Sequence, residues 1–299
     1  MTTAAPFRTL LVTGASGQLG RRVIDLLIES HAGRVIAATR TPDKVADLAL
    51  HGAEVRVVNF DNPVSLDAAF AGVRRLLLIS TDDMTEPVRR LEQHRNIIEA
   101  AVRCGVQHIV YTSIAQALPD SALAATLDHR ETERLLAATK LGWTILRKNI
   151  YAETLLPSLT HALTTGQWRT AAGEGAAAYV TREDCAQATA AALAGAFDGR
   201  RTLDITGPMA VTHGMIARWV METTGKPLVH VPVDEAEARA NWIDAGVLVP
   251  VAAVMTTLDV GIAKGEFARA SRVVAELAGR PPMNIPAFIR AHRAHLLQT

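Results

Sequence analysis

Eight residues near the amino terminus, Thr13-Gly14-Ala15-Ser16-Gly17-Gln18-Leu19-Gly20, constrain this chain more than any other stretch. They follow an apolar run, Thr9 to Thr13, and open an amphipathic stretch, Gln18 to Glu29, whose Val23, Leu26 and Leu27 share one face. Glycine recurs at 14, 17 and 20. A strand, a tight glycine turn and a helix in this order let backbone approach a pyrophosphate closely, and the helix amino terminus attracts its charge. A glycine triplet alone is weak. The strand before it and the helix after it are what make it read as a phosphate-binding loop.

The next 130 or so residues repeat that alternation. Strands are predicted at Arg34 to Thr39, Glu54 to Asn59, Arg75 to Ser80, Gln107 to Thr112 and Trp143 to Leu146. Helices are predicted at Asp43 to His51, Pro63 to Ala71, Glu86 to Cys104 and Asp128 to Thr139. Near-continuous apolar strands separated by helices belong to a parallel sheet covered on both faces, so an α/β, doubly wound parallel sheet is expected. Beyond residue 150 the alternation weakens. Tyr151 to Thr164 reads as a helix. Thr181 caps another through Leu193, with Glu183 and Asp184 in its first turn. Thr202 to Thr206 reads as a strand, and Val211 to Thr223 and Asp234 to Asp244 as helices. The expected organisation is a dinucleotide-binding domain over 1–155, to which 181–206 returns, and a smaller helix-rich substrate lobe over 156–299.

Composition removes several classes. The net charge is +1, so no nucleic-acid or anionic-membrane surface is expected. The longest apolar run, Val247 to Met255, is interrupted by Pro250 and is too short for a bilayer. Met1 to Arg8 carries no apolar signal region, and two cysteines, Cys104 and Cys185, make no disulfide framework; a cytoplasmic protein is expected, with both thiols as buried filler. His292 and His295 lack a nearby Cys or acid and read as a surface pair, so no metal is expected. No Gly-x-Ser-x-Gly elbow is present.

The second strand says which dinucleotide. Its end carries no acid to bind a ribose 2′-hydroxyl; it reads Arg40-Thr41-Pro42-Asp43-Lys44. Arginine suits a 2′-phosphate through a forked, charge-assisted pair, and Lys44 adds a second positive charge, so NADP(H) is expected over NAD(H). The alternative is a solvated Arg40. Asp61, beside Phe60 after the third strand, either accepts from an adenine amino group or is a solvated loop acid. Ser80 lies at the carboxyl end of the fourth strand, where ligands bind in such sheets.

The segments TGASGQLG, ATRTPDK, RLLLIS, QHRNIIEAA, IVYTS, HRETERLL and WTILRKNIYAET resemble, in this order, the atypical NmrA-like branch of the short-chain dehydrogenases, and within it the bacterial quinone oxidoreductases and triphenylmethane reductases. The resemblance covers roughly residues 8–206 well and the rest more loosely. It implies an NADP(H)-binding Rossmann-type domain, a smaller lobe, and a small-molecule acceptor in a cleft between them; a homodimer stays open. It also implies that Gly14, Ser16, Gly17, Gln18, Leu19 and Gly20 cradle the pyrophosphate and Arg40 holds the 2′-phosphate. Ile79 and Ser80 then lie along the ribose, and Thr112 and Ser113 near the nicotinamide. Arg147, Asn149, Tyr151 and Glu153 fall in the loop after the sixth strand, Asn149 and Tyr151 on the cofactor side. Lys148 departs from the family pattern there.

Most short-chain dehydrogenases use Tyr-x-x-x-Lys, one helical turn apart, for proton donation. Here the residues four after Tyr111, Tyr151 and Tyr179 are Ala115, Leu155 and Glu183. The matching helix places Ala125, His129 and Glu133 in that series. His129 either binds a ribose hydroxyl or relays a proton, with Ser113 as the second catalytic candidate, or it is a surface histidine paired with Glu133. Without the dyad, an acceptor that stabilises the added charge is expected: a quinone-like or other planar conjugated molecule reduced by NADPH. The competing readings are a reductase for one specialised biosynthetic intermediate and a non-catalytic NADP(H)-sensing regulator. Gln93-His94-Arg95-Asn96 opens one helix face, with His94 or Asn96 lining the cleft or facing solvent. Trp168, Trp219 and Trp242 serve either the core or a substrate wall.

Overall fold

The computed structural model describes residues 8–81, 89–115 and 125–298; the expectations for Met1 to Phe7 and for the start of the helix at Glu86 lie outside them. The chain divides into two compact units. The first comprises residues 1–114, 127–147 and 185–203; the second comprises 115–126, 148–184 and 204–299.

The first unit is built on the predicted alternation: β1 (Thr9–Val12), α1 (Gln18–Glu29), β2 (Arg34–Thr39), α2 (Ala46–Leu50), β3 (Glu54–Val57), α3 (Pro63–Phe70), β4 (Arg75–Leu78), α4 (Arg89–Arg103), β5 (His108–Ile114) and α5 (Ala125–Ala138). β6 (Gly142–Lys148) follows. The strands form a seven-stranded sheet in the order β3-β2-β1-β4-β5-β6-β9, β9 being Arg200–Ile205. The pairs β1–β2, β2–β3, β1–β4 and β4–β5 are parallel. The sheet therefore reverses its winding between β1 and β4, the place where doubly wound sheets open a crevice at the strands' carboxyl ends. Leu10, Leu11, Leu76, Leu77, Ile109 and Val110 are fully buried, as strands covered on both faces require.

β4 starts on a buried charge. The Arg75 guanidinium donates to the carbonyls of Leu193 (2.7 Å) and Phe197 (3.1 Å) and to Asp198 (2.9 Å). Burial lowers its pKa to about 10. The carbonyls satisfy donors that a dry interior otherwise penalises.

The second unit holds α6 (Leu155–Thr165), β7 (Gln167–Thr170), β8 (Ala176–Ala177) and the start of α7 (Arg182–Ala194). It continues through β10 (Val211–Thr212), α8 (His213–Thr224), β11 (Val229–Pro232), α9 (Glu235–Asp244), α10 (Val249–Ala263), α11 (Val273–Ala278), α12 (Ile285–Ala291) and α13 (Arg293–Leu296). Two small sheets here were not predicted, parallel β7–β11 and antiparallel β8–β10. Val211 and Thr212 belong to β10 rather than to the expected helix. α8 starts at His213, because the Thr212 hydroxyl accepts the Met215 amide at 3.2 Å and caps it. Trp168 is buried, and its ring stacks on His213 at 4.2 Å, so it belongs to this unit's core. Cys185 is buried, whereas Cys104 is only half-buried, with its thiol toward the Asp67 carbonyl. Among the described residues no helix is long and apolar enough to cross a membrane.

Candidate active site

The β1–α1 turn owes its shape to two glycines. Gly14 adopts φ +63°, a left-handed conformation that favours glycine. A Cβ on Gly20 would stand 2.3 Å from the Gly14 carbonyl oxygen, so only glycine lets α1 close onto the turn. The Gly17 amide donates to that same oxygen at 3.0 Å. Gly17 is the N-cap residue of α1, with no side-chain cap and no acid in the first helical turn. Ser16, Gly17 and Gln18 are exposed; Leu19 and Gly20 are buried. An exposed helix amino terminus with no side-chain cap and no acid in its first turn fits the pyrophosphate of a dinucleotide.

Threonines stitch the neighbouring strand ends together. The Thr13 hydroxyl donates to the Leu77 carbonyl and accepts the Ile79 amide, both at 3.0 Å. A Cβ added at Gly14 would meet the Ile79 side chain at 3.5 Å, ordinary van der Waals contact. The Thr112 hydroxyl accepts the Ser80 amide at 3.0 Å. The expected ribose and nicotinamide residues thus sit on the ends of β4 and β5, held by side chain-to-backbone bonds.

At the end of β2, Thr39 is buried and Arg40 is exposed, and no acid closes the strand. Lys44 is exposed on the one-turn 3-10 helix Pro42–Val45. Its carbonyl accepts from Arg21, which also pairs with Asp47. The Asp61 carboxylate accepts from Gln93 and from Arg89, each at 3.1 Å. Those bonds, and the nearby Arg40 charge, lower its pKa. The Phe60 ring packs against the core while its carbonyl accepts from Asn96 at 2.9 Å.

His129 is not a surface residue paired with Glu133. It is 8% exposed, and Nδ1 lies 2.7 Å from the Tyr111 hydroxyl. Burial holds that phenol protonated, its pKa well above the ordinary value. Glu133 points elsewhere. Its carboxylate accepts Ser113 Oγ at 2.7 Å and Arg147 Nε and Nη2 at 3.0 and 2.6 Å. His94 neither lines an opening nor faces solvent; it is fully buried on α4, its ring edge-on to that of Tyr111. The Thr132 hydroxyl gives its proton to the Asp128 carbonyl, so it accepts from His94 Nδ1 at 2.9 Å. His94 Nε2 accepts the Thr81 amide at 3.3 Å. The ring is neutral, its pKa lowered by burial to about 3.

The loop after β6 is pinned at each residue. The Lys148 carbonyl accepts the Ala115 amide at 2.7 Å. Asn149 donates through Nδ2 to the Phe267 carbonyl at 3.0 Å, and its own Oδ1 accepts the Ile150 amide at 2.8 Å. Tyr151 bridges Val180 in parallel, and the Glu153 carboxylate accepts the Arg182 amide at 2.9 Å. Lys148 Nζ donates to the Tyr151 hydroxyl at 2.7 Å.

Deeper in this unit lies an unpredicted cluster. Tyr179 OH is 2.7 Å from His213 Nε2, and Thr170 Oγ1 contacts both His213 Nδ1 (2.8 Å) and His230 Nε2 (2.9 Å). Beside it Asp259 is buried, with Oδ2 unbonded against a cavity of about 20 Å³, and burial raises its pKa to about 7. Among the described residues no group of three or more His, Cys, Asp or Glu side chains is arranged to hold a metal ion.

Sequence reasoning missed the partners of Tyr111, Glu133 and His94 and the whole Trp168–His213 cluster. No fixed spacing links residues 13 or more positions apart, and only Glu133 carried a signal, through its place in the helical series.

A family profile described as NAD(P)H-binding matches residues 14–195. The chain is 34% identical to quinone oxidoreductase 2 of Escherichia coli K12 over 273 residues, covering 91% of this chain and 94% of that one. The crystal structure of the Escherichia coli NADPH-dependent quinone oxidoreductase complexed with NADPH superposes with a TM-score of 0.88 at 33% identity, covering 94% of this chain and 99% of that one. The Citrobacter sp. triphenylmethane reductase complexed with NADP(H) superposes with a TM-score of 0.88 at 32% identity, covering 95% and 99%. The glycine cradle at the sheet's switch point and these likenesses agree: the chain belongs to the NAD(P)H-binding family, in the NmrA-like branch of the atypical short-chain dehydrogenases.

Proposed function

We propose that this chain is an NADPH-dependent oxidoreductase that reduces a quinone-like or other planar conjugated small molecule. The observation that carries the reading is the β1–α1 turn, where Gly20 packs on the Gly14 carbonyl and Gly17 starts α1 at an exposed amino terminus with no side-chain cap and no acid in its first turn. The likeness to quinone and triphenylmethane dye reductases supports the acceptor class.

When bound, NADPH supplies the hydride. The residues of this chain bind and orient. Gly14, Ser16, Gly17, Gln18, Leu19 and Gly20 hold the pyrophosphate. Arg40, with Lys44, holds the 2′-phosphate, and Asp61 and Phe60 face the adenine end. Ile79, Ser80 and Thr112 would line the sugar and nicotinamide, with Ser113 and His129 as the candidate catalytic residues beside them. Asn149 sets the loop after β6 through its bonds to the Phe267 carbonyl and the Ile150 amide. Much of the rate then comes from holding donor and acceptor in a reactive geometry.

The test is a cofactor-oxidation screen over quinones, cationic dyes and enones, with NADPH and NADH side by side. NADPH consumption with quinones or dyes is the expected result. Dinucleotide binding without turnover on any acceptor would sink the reading.

A further inference from the structure

Tyr111 and Tyr179 are fully enclosed, at 0% and 2% exposure, and each hydroxyl meets a histidine nitrogen at 2.7 Å. Tyr151 is different. It is half-buried, and its hydroxyl receives the Lys148 ammonium at 2.7 Å. The Lys148 ammonium also lies 5.2 Å from the Tyr151 ring centroid, and the Arg182 guanidinium lies at the same 5.2 Å. One phenol thus has two cations, one of them bonded to its oxygen.

The backbone under this pair is tied down by hydrogen bonds. The Ala152 amide donates to the Val180 carbonyl at 2.9 Å, and the Val180 amide to the Ile150 carbonyl at 3.0 Å. The Asn149 side chain spans the Phe267 carbonyl and the Ile150 amide. Lys148 is the last residue of β6, and ligands bind outside the carboxyl ends of strands in such sheets. Ser113 gives its proton to Glu133, and His129 faces the Tyr111 phenol.

We infer that Lys148 and Tyr151 form a proton-donating pair: Tyr151 is the catalytic acid for an acceptor whose reduction leaves a negative oxygen, and Lys148 is its positioning residue. The assignment rests on the reductase reading above. The acceptor takes a hydride from NADPH, which leaves as NADP+, and the phenolic proton of Tyr151 on the oxygen. The phenolate left behind is stabilised by the ammonium bonded to it and regains a proton from water. The sum is acceptor plus NADPH plus H+ giving reduced acceptor plus NADP+. The three-residue spacing from Lys148 to Tyr151 restores, in reverse order and off a helix, the phenol–ammonium contact that Tyr-x-x-x-Lys makes one helical turn apart.

Two acceptors separate the outcomes. A benzoquinone needs a hydride and a proton, whereas a triarylmethane dye cation is neutralised by hydride alone. In Tyr151→Phe, and less severely in Lys148→Met, the quinone-to-dye rate ratio should fall by about 100-fold or more. Lys148→Arg should recover part of it. In nucleotide-free protein labelled at the tyrosine ζ-carbon, NMR should show Tyr151 titrating at higher pH in Lys148→Met than in the unsubstituted chain. An unchanged ratio in Tyr151→Phe, or an unchanged titration in Lys148→Met, overturns the assignment. If the unsubstituted chain reduces neither acceptor, the reductase reading itself falls, and the assignment with it.

Discussion

Arg147 grips the Glu133 carboxylate with two bonds, from Nε at 3.0 Å and Nη2 at 2.6 Å. Forked pairs of this kind are strong and directional. The same carboxylate accepts Ser113, so β5, α5 and β6 meet on one side chain. Glu133 is 12% exposed and Arg147 35%. Arg147→Met leaves that carboxylate enclosed without its counter-charge. A loss of about 1–2 kcal/mol in urea unfolding is expected, with solvent screening keeping it below the cost of a fully buried pair. Unchanged stability would mean the fork does not form in solution.

Gly20→Ala places a methyl 2.3 Å from the Gly14 carbonyl oxygen, backbone against which nothing can yield cheaply. Opening the turn should cost about 1–3 kcal/mol of stability. NADPH affinity should fall at least tenfold at a temperature where the variant is still folded. Fluorescence titration beside thermal unfolding separates the two effects; full affinity in a folded variant would mean the turn does not hold the pyrophosphate.

Arg40→Asp reverses the charge at an exposed strand end and leaves the core alone. A charge-assisted hydrogen bond contributes about 1.5–3 kcal/mol, so the NADPH-over-NADH affinity ratio should drop by about tenfold or more. A variant that keeps its preference for NADPH would move the 2′-phosphate to another residue.

Asp259 makes stability depend on pH in an unusual direction. Its ordinary value is 3.8, and burial raises it to about 7 in the folded chain. The folded state therefore binds the proton more tightly than the unfolded state. Stability from this group is full below pH 4 or so and is lost as pH rises toward and through about 7. Asp259→Asn has no charge to bury. Its melting temperature should rise relative to the unsubstituted chain at pH 8, and the gain should shrink at pH 5, as read by thermal scans at the two pH values. A gain that is equal at both pH values would show that Asp259 is not protonated inside the fold.

Much of the first unit was legible in the sequence. α1 and β2 start and end at the predicted residues, and the other elements lie within a few residues of prediction. Local rules act there: an apolar run four to seven residues long, a glycine turn, a 3.6-residue periodicity. β7 and β11 escaped because Gln167-Trp-Arg-Thr and Val229-His-Val-Pro are short and mixed in polarity. Their pairing joins segments about 60 residues apart, which no local window contains.

By itself the sequence determined the doubly wound sheet, the glycine cradle and the arginine at the end of β2, because each rests on residues adjacent in the chain or one turn apart. It also established that no tyrosine has a lysine four residues on. Only the tertiary structure decided what each polar side chain does. It turned His129 from Glu133 to Tyr111, gave Glu133 to Ser113 and Arg147, and set Lys148 against Tyr151. The reason is physical: a buried polar group takes whichever partner the packed strands and helices bring within about 3 Å, and strand register, not spacing along the chain, makes that choice.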